Sequence, residues 1–319
     1  MSLKIIGMGK SIPRRRVTND DIASFVDTSN EWIVSRTGIE ARHVCTDEML
    51  TDLAVIAAKQ AIASAGLVAD DVDMIVGATL GGDYRTPSLA SCVSEQLNAK
   101  APAFDINAAC TGFIYALDVA AGFLATGRAK NILIICAEQL SACLDWSDRN
   151  TCILFGDGAA ACVVTHGDSL QYINLSPLNG NAEVLHMAAS TNASPFINSP
   201  RDNGCIYMQG QEVFKFAVNA VENELTQALG ALKISADEID YFVLHQANKR
   251  IIDSARLKVK QPKEKFPLNI DKYGNISSVS VPLLLCEMLE EEKLNAGDKL
   301  FLAAFGAGMT AGSAVLEWV

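Results

Sequence analysis

The sequence predicts an α/β protein built from two copies of one strand–helix unit, and three observations predict it. Short apolar runs that read as buried strands alternate with amphipathic or apolar helical stretches along the chain. Asp70-Asp71-Val72-Asp73-Met74-Ile75-Val76 is answered by Asp237-Glu238-Ile239-Asp240-Tyr241-Phe242-Val243 at an offset of 167 (237 − 70), and each follows an alanine-rich helix. Ile132-Leu133-Ile134-Ile135 is answered by Leu300-Phe301-Leu302-Ala303 at an offset of 168 (300 − 132). A repeat of half the chain means duplication of a whole unit, not a solenoid. Gly167-Asp168 is the expected midpoint, dividing the chain into halves 1–167 and 168–319.

The elements follow in order. Leu3 to Gly9 reads as a strand, and its Gly7-x-Gly9 stops short of a dinucleotide fingerprint because Ile12 stands where a third glycine belongs. Asn19 to Val34 holds one or two short helices, with a turn at Arg36-Thr37-Gly38-Ile39. A helix with an acidic first turn starts at Thr51 and ends at Gly66. Strand 72–77, helix 88–97, strand 103–107, an apolar helix 113–124, strand 131–137 and strand 155–165 complete the first copy. In the second copy, Leu268-Asn269-Ile270 is expected to be the strand that answers Phe104-Asp105-Ile106.

Composition narrows the function. The 319 residues suffice for a large core without disulfide staples, since a chain of this size buries roughly three quarters of its unfolded surface. A net charge of −11 makes nucleic acid and anionic membranes poor partners. Nine cysteines, an odd number with no C-x-x-C, argue for a reducing cytosol and against a disulfide framework or structural zinc site. No secretory leader is evident at the start, and the uncharged 300–316 is too short and too glycine-interrupted to span a membrane.

Chemistry gathers at the carboxyl ends of strands in α/β sheets. Four such ends carry polar or glycine-rich sequence: Cys110, His245, Gly274-Asn275 and Phe305-Gly306-Ala307-Gly308. Cys110 sits where a strand runs into a helix, whose free N–H groups and positive end favour a thiolate. Most free cysteines are small buried hydrophobes, so this placement alone makes Cys110 a candidate nucleophile and no more. His245, in His245-Gln246-Ala247-Asn248, is the only one of four histidines at such a strand end, the position of a base or donor. If the copies pack about a pseudo-twofold, these loops meet.

Together these stretches carry a resemblance. Ala109-Cys110-Thr111-Gly112-Phe113, His245-Gln246-Ala247-Asn248, Gly274-Asn275-Ile276-Ser277 and Gly306-Ala307-Gly308-Met309-Thr310-Ala311-Gly312 resemble the four active-site motifs of the β-ketoacyl-acyl-carrier-protein synthase III family of the thiolase superfamily. Ser29-Asn30-Glu31-Trp32-Ile33, Arg36-Thr37-Gly38-Ile39 and Phe155-Gly156-Asp157-Gly158 extend the likeness over the whole chain. The resemblance implies a duplicated thiolase-like αβαβα layered sandwich and an acyltransferase that initiates type II fatty-acid synthesis. Cys110 would carry the acyl group of an acyl-CoA primer as a thioester, and malonyl-acyl carrier protein would lose CO2 and attack it. His245 and Asn275 would hold the resulting oxyanion, and the backbone N–H groups of Cys110 and Ala307 a second one.

The same likeness implies further sites. Trp32 and Arg149 would flank the adenine of coenzyme A, Arg36 would face its phosphates, and Gly210 and Asn248 would line the pantetheine tunnel. Thr86 and Phe305 would bound the primer pocket, with Thr86 closing it across a homodimer; a threonine there leaves room for branched or longer primers. Residues 249–265 hold seven basic against two acidic side chains, a patch in which Arg250, Arg256 and Lys258 would dock the acidic acyl carrier protein. No metal or cofactor is implied; acyl-CoA and malonyl-acyl carrier protein are substrates, and the setting is the cytoplasm. Ile276, Ala311 and Gln211 depart from the usual family pattern, which bears on pocket shape but removes no reacting group. A relative diverted to polyketide metabolism, and a catalytically silent scaffold that binds carrier proteins, are the competing readings.

Overall fold

The protein is described here from a computed structural model covering residues 3–177, 182–188 and 204–319. In chain order the elements begin with β1 (Lys4–Ser11), β2 (Arg15–Thr18), α1 (Asn19–Ala23), α2 (Asn30–Thr37), β3 (Ala41–Val44) and α3 (Leu50–Ser64). There follow β4 (Met74–Ala78), α4 (Leu89–Leu97), β5 (Ala103–Ile106), α5 (Gly112–Ala125), β6 (Asn131–Gln139), α6 (Arg149–Cys152) and β7 (Asp157–Thr165). The chain continues through β8 (Leu170–Pro177), β9 (Leu185–Met187), β10 (Ile206–Met208), α7 (Gly210–Leu232), β11 (Tyr241–Leu244) and α8 (Lys249–Val259). It ends with α9 (Ile270–Tyr273), α10 (Ser280–Glu290), β12 (Lys299–Gly306) and β13 (Thr310–Glu317).

Two sheets repeat one topology. The first runs β1-β7-β6-β4-β5 and the second β8-β13-β12-β11. In each, the first three strands pair antiparallel and the next pairs parallel. The chain passes from one sheet to the other between Thr165 and Leu170. The strand expected at Leu268-Asn269-Ile270 does not form: those residues lead into α9, and the described second sheet has no counterpart of β5. The Asn269 backbone is engaged elsewhere: its N–H donates to the Gln246 side chain (3.2 Å), and its carbonyl accepts from the Lys272 (3.1 Å) and Tyr273 (3.2 Å) N–H groups as α9 begins.

Alternation along the strands explains the layers. Ile132, Ile134 and Cys136 of β6 face inward beside Leu300, Leu302 and Ala304 of β12, and α5 and α10 pack between the two sheets in the same cluster. The opposite faces are buried too: Leu133 and Ile135 against α3 and α4, Phe301 and Ala303 against α7 and α8. Sheets covered on both faces need continuous apolar strands, which is how β6 and β12 read. The result is the expected αβαβα sandwich, with α5 and α10 forming its central layer.

Gly7 and Gly9 have a packing role. A Cβ on Gly9 would stand 2.3 Å from the carbonyl oxygen of Ala57, and one on Gly7 2.3 Å from that of Ala61, so α3 lies directly on β1. Gly9→Ala should therefore cost about 1–3 kcal/mol. A urea midpoint equal to that of the unaltered protein would show that α3 can back away freely.

Candidate active site

The Cys110 elbow is built locally. After β5 the Asn107 side chain accepts from the Ala109 N–H (3.3 Å), and Ala109 takes φ 47°, a left-handed conformation that turns the chain sharply. A single 3-10 turn, Ala109–Thr111, then leads into α5, placing Cys110 at a helix start. The end of β12 lies against it. A Cβ on Gly306 would be 2.9 Å from Cys110 Cβ and 3.0 Å from its backbone nitrogen. The Thr111 and Thr310 hydroxyls meet at 3.1 Å, joining the elbow to the start of β13.

His245 follows β11, is buried, and meets the Phe305 ring edge-on at 5.3 Å between centroids. Asn275 follows α9 and is held by backbone bonds to its neighbours: its N–H donates to Leu154 O (2.9 Å) and its carbonyl accepts from Gly156 N–H (3.0 Å). Its side-chain Oδ1 accepts from the Ser277 N–H (2.9 Å), which leaves the Nδ2 hydrogens as its outward donors. Below it Glu287 takes Asn269 (2.8 Å), Lys272 (3.2 Å) and Tyr273 (2.9 Å), fixing the helical turn that carries Asn275.

One cavity of about 400 Å³ collects these groups. Cys110 from the first half and His245, Asn275, Phe305 and Ala307 from the second all line it. Trp32, 37% exposed, lines it as well, so the cavity reaches from the surface to the cysteine.

Comparison with known proteins decides the family. The C-terminal model of 3-oxoacyl-[acyl-carrier-protein] synthase III matches residues 229–318, and the companion model for that synthase matches 104–176. The chain is 43% identical to the β-ketoacyl-[acyl-carrier-protein] synthase III of Clostridium perfringens, with 98% of each chain covered. It is 42% identical to that of Aquifex aeolicus over 100% of each. The Aquifex crystal structure superimposes with a TM-score of 0.93, covering 99% of this chain and 100% of that one. The priming β-ketosynthase of the R1128 polyketide pathway superimposes with a TM-score of 0.92 at 30% identity, covering 99% and 96%. This chain belongs to the β-ketoacyl-acyl-carrier-protein synthase III family.

The remaining family positions fall out unevenly. Arg149 lies over the Trp32 ring at 4.9 Å and Arg36 at 5.9 Å. A purine between Trp32 and Arg149 needs two van der Waals gaps, roughly 7 Å, so Arg149 must swing aside to admit one. Its guanidinium is meanwhile held by the Asp27 carbonyl (2.8 Å). Gly210 and Asn248 line the cavity, but the Asn248 carboxamide is already engaged, capping α8 at Arg250 N–H (2.9 Å) and donating to Arg36 O (3.1 Å). Thr86 is exposed and does not line the cavity of its own chain. Of the basic positions, Lys258 is paired with Glu222 (2.8 Å) and Arg256 sits 3.7 Å from Asp253, while Arg250 stacks on Phe214 (5.3 Å) beside the cavity. Ile276 and Ala311 are buried in the core, whereas Gln211 lines the cavity.

Several lining residues were not singled out from the sequence. Met208, Leu140 and Ile153 are among its apolar walls. Their only signal was hydrophobicity, which every core residue shares. Ser277 and Glu138 stand close to Cys110 and act on its thiol. Among the described residues no group of three or more His, Cys, Asp or Glu could hold a metal, and no helix is long and apolar enough to cross a membrane.

Burial sets the ionisation of the site. It pushes the Cys110 thiol up to about 11, with Ser277 opposing and Glu138 adding to the shift. The helix start expected to favour a thiolate is outweighed by this burial. Burial disfavours the cationic imidazole and lowers His245 to about 3, so His245 is a neutral donor or acceptor at physiological pH. Its Nδ1 has no hydrogen-bond partner among the described residues.

Two outcomes follow. The His245 ring resonances should not titrate between pH 8 and pH 5, because protonation is displaced below that window; an inflection near 6.5 would mean a solvated ring. Gly306→Ala should lower the rate of Cys110 alkylation or acylation about a hundredfold, since the added Cβ overlaps Cys110 and shifts it out of reach. A variant that acylates at the usual rate would show that the elbow yields.

Proposed function

We propose that Cys110, His245 and Asn275 perform a decarboxylative condensation inside their shared cavity. The chain is an acyltransferase, an initiating condensing enzyme of fatty-acid synthesis acting on acyl-CoA and acyl carrier protein. The observation that supports the residue roles is that one cavity is lined by a sulfur from the first half and by an imidazole and a carboxamide from the second. The division of the chain at 167/168 belongs to the same reading and is supported by strand membership on either side.

In the first step the Cys110 sulfur attacks the primer thioester, a C–S bond forms, and the coenzyme A sulfur leaves with the proton that Cys110 gives up. Thiol is exchanged for thiol, so a raised Cys110 pKa does not oppose the overall transfer. The backbone N–H groups of Cys110 and Ala307 stabilise the tetrahedral oxyanion, and Gly306 allows that approach. In the second step the malonyl carboxylate departs as CO2. The electron pair left behind spreads onto the malonyl thioester oxygen, which accepts from His245 and from Asn275 Nδ2. Neutral donors suit this role because the charge arises only during reaction, and a permanently charged partner in a buried site costs desolvation. The carbanion then attacks the acyl-Cys110 carbonyl, and the released thiolate takes up a proton.

Coenzyme A enters past Trp32, Arg36 and Arg149 and along Gly210 and Asn248, and the carrier protein docks at Arg250, with Arg256 and Lys258 contributing from their ion pairs. Thr86 and Phe305 bound the primer pocket; the exposure of Thr86 fits a homodimer in which it reaches the partner's pocket. The setting is the cytoplasm. A polyketide starter role is the second reading, favoured by the structural match to a priming ketosynthase, but identity is 30% there against 42% and 43% for the fatty-acid relatives.

Intact-mass measurement after exposure to mixed acyl-CoAs should show one acyl adduct, absent in Cys110→Ala. Asn275→Ala should still acylate yet decarboxylate malonyl-carrier protein about a hundredfold more slowly. Comparable rates with acetyl-CoA and isobutyryl-CoA are expected; an acetyl-only enzyme overturns the Thr86 assignment, and normal condensation by Asn275→Ala overturns its role. Absence of any adduct would leave a silent scaffold.

A further inference from the structure

The duplication carries a second elbow. Ala109 has φ 47° and Ser277 has φ 45°, and the two are 168 residues apart (277 − 109). Each opens a 3-10 turn, Ala109–Thr111 and Ser277–Val279, that runs into a central-layer helix, α5 and α10. Before each turn, at the same offset, an asparagine side chain accepts the N–H two residues on: Asn107 from Ala109 and Asn275 from Ser277. The counterpart of Cys110 is therefore Ser278, and the counterpart of Gly306 is Glu138, also 168 residues earlier (306 − 138).

The two elbows are finished in opposite ways. At Cys110 the facing strand end is a glycine, and the sulfur borders the cavity. At Ser278 the facing strand end is a carboxylate, and the hydroxyl is tied off. Ser278 Oγ lies 2.8 Å from Glu138 Oε1 and 3.2 Å from the Ala78 carbonyl, while Glu138 Oε2 accepts from the Leu80 N–H (3.0 Å). All of this is buried, with Glu138 and Ser278 each 1% exposed. Glu138 thus bonds the second half's elbow to the ends of two first-half strands.

We propose that Glu138 is a positioning residue, acting through Ser278 to hold the Asn275–Ser277 turn in the conformation that aims the Asn275 carboxamide into the cavity. The reason is the strain at Ser277. A non-glycine residue at positive φ persists only where its surroundings over-determine it. The Ser277 N–H fixes the Asn275 Oδ1, so a turn that relaxes also releases the carboxamide. The anchor immediately after the strained residue is the Ser278–Glu138 bond. The closed elbow serves the open one.

The proposal rests on the Asn275 role given above, and the test separates the two. In the full-length enzyme, Glu138→Ala and Ser278→Ala should each slow malonyl-carrier-protein decarboxylation about tenfold, the effect of leaving a buried polar partner unpaired. The KM for malonyl-carrier protein should stay within about threefold, and acylation of Cys110 should fall by no more than about that much, since the Glu138 charge disfavours the Cys110 thiolate and its removal does not hinder attack. Glu138→Gln should retain most activity, because its amide oxygen accepts from Leu80 while its NH2 donates to Ser278 Oγ, whose own hydrogen turns to Ala78. Ser278→Ala removes a single hydroxyl and keeps the test available if Glu138→Ala does not fold. Unchanged decarboxylation in both alanine variants, equal loss in Glu138→Gln and Glu138→Ala, or an equal fall in acylation and decarboxylation would each overturn the proposal. If Asn275→Ala itself decarboxylates normally, the Asn275 role falls; if it does not while Glu138→Ala does, only the positioning role of Glu138 falls.

Discussion

The site depends on how closely one strand end approaches one helix start. β12 ends on Gly306 against the backbone and Cβ of Cys110, at distances no side chain on residue 306 could occupy. That approach brings two halves of the chain, nearly two hundred residues apart in sequence, into one cavity. Thr111 and Thr310 join the same loops through their hydroxyls. The central layer makes the approach possible: α5 and α10 pack in one apolar cluster with the inward faces of both sheets, so their starts come to the same level of the sandwich. A rigid, densely packed layer passes positional constraint to the loops above it, which gives them little freedom to drift.

Burial then shapes the chemistry. The same enclosure that holds Cys110, His245 and Asn275 together raises the cysteine thiol and keeps the imidazole neutral. It also pushes the Glu138 carboxyl up to about 7, against the Leu80 N–H and the Ser278 hydroxyl, which favour its charged form. The Cys110, His245 and Asn275 side chains are therefore uncharged at neutral pH, although the protein carries a net charge of −11. Dipoles fixed in a dry cavity hold a developing oxyanion better than mobile water does, because they need no reorganisation as the charge forms. A neutral imidazole and an amide whose oxygen is already committed to Ser277 are dipoles of that kind.

Much of this is legible in the amino-acid sequence. The apolar runs of β6 and β12, doubly buried, announced themselves by composition and returned the repeat seen in the sheet order, β1-β7-β6-β4 in one sheet and β8-β13-β12-β11 in the other. The Cys110, His245 and Asn275 motifs were legible because they combine uncommon residue types in fixed company. Where reading by analogy went wrong, backbone bonding was the cause: Leu268-Asn269-Ile270 is apolar enough for a strand, but the Asn269 N–H goes to the Gln246 side chain and its carbonyl to the turn of α9. Trp32 and Arg149 lie together in the structure, and nothing in their spacing tells that they close on each other.

By itself the sequence determined the duplicated α/β architecture, the family, and which three candidate side chains to look for in one cavity, since these follow from local periodicity and from residue identity. Only the tertiary structure decided that Ser278 is the counterpart of Cys110, that Glu138 ties it off, and that Gly306 leaves the sulfur open to the cavity. Those facts depend on left-handed backbone at Ala109 and Ser277 and on contacts between groups far apart in the chain, and neither leaves a periodic mark on the order of the amino acids.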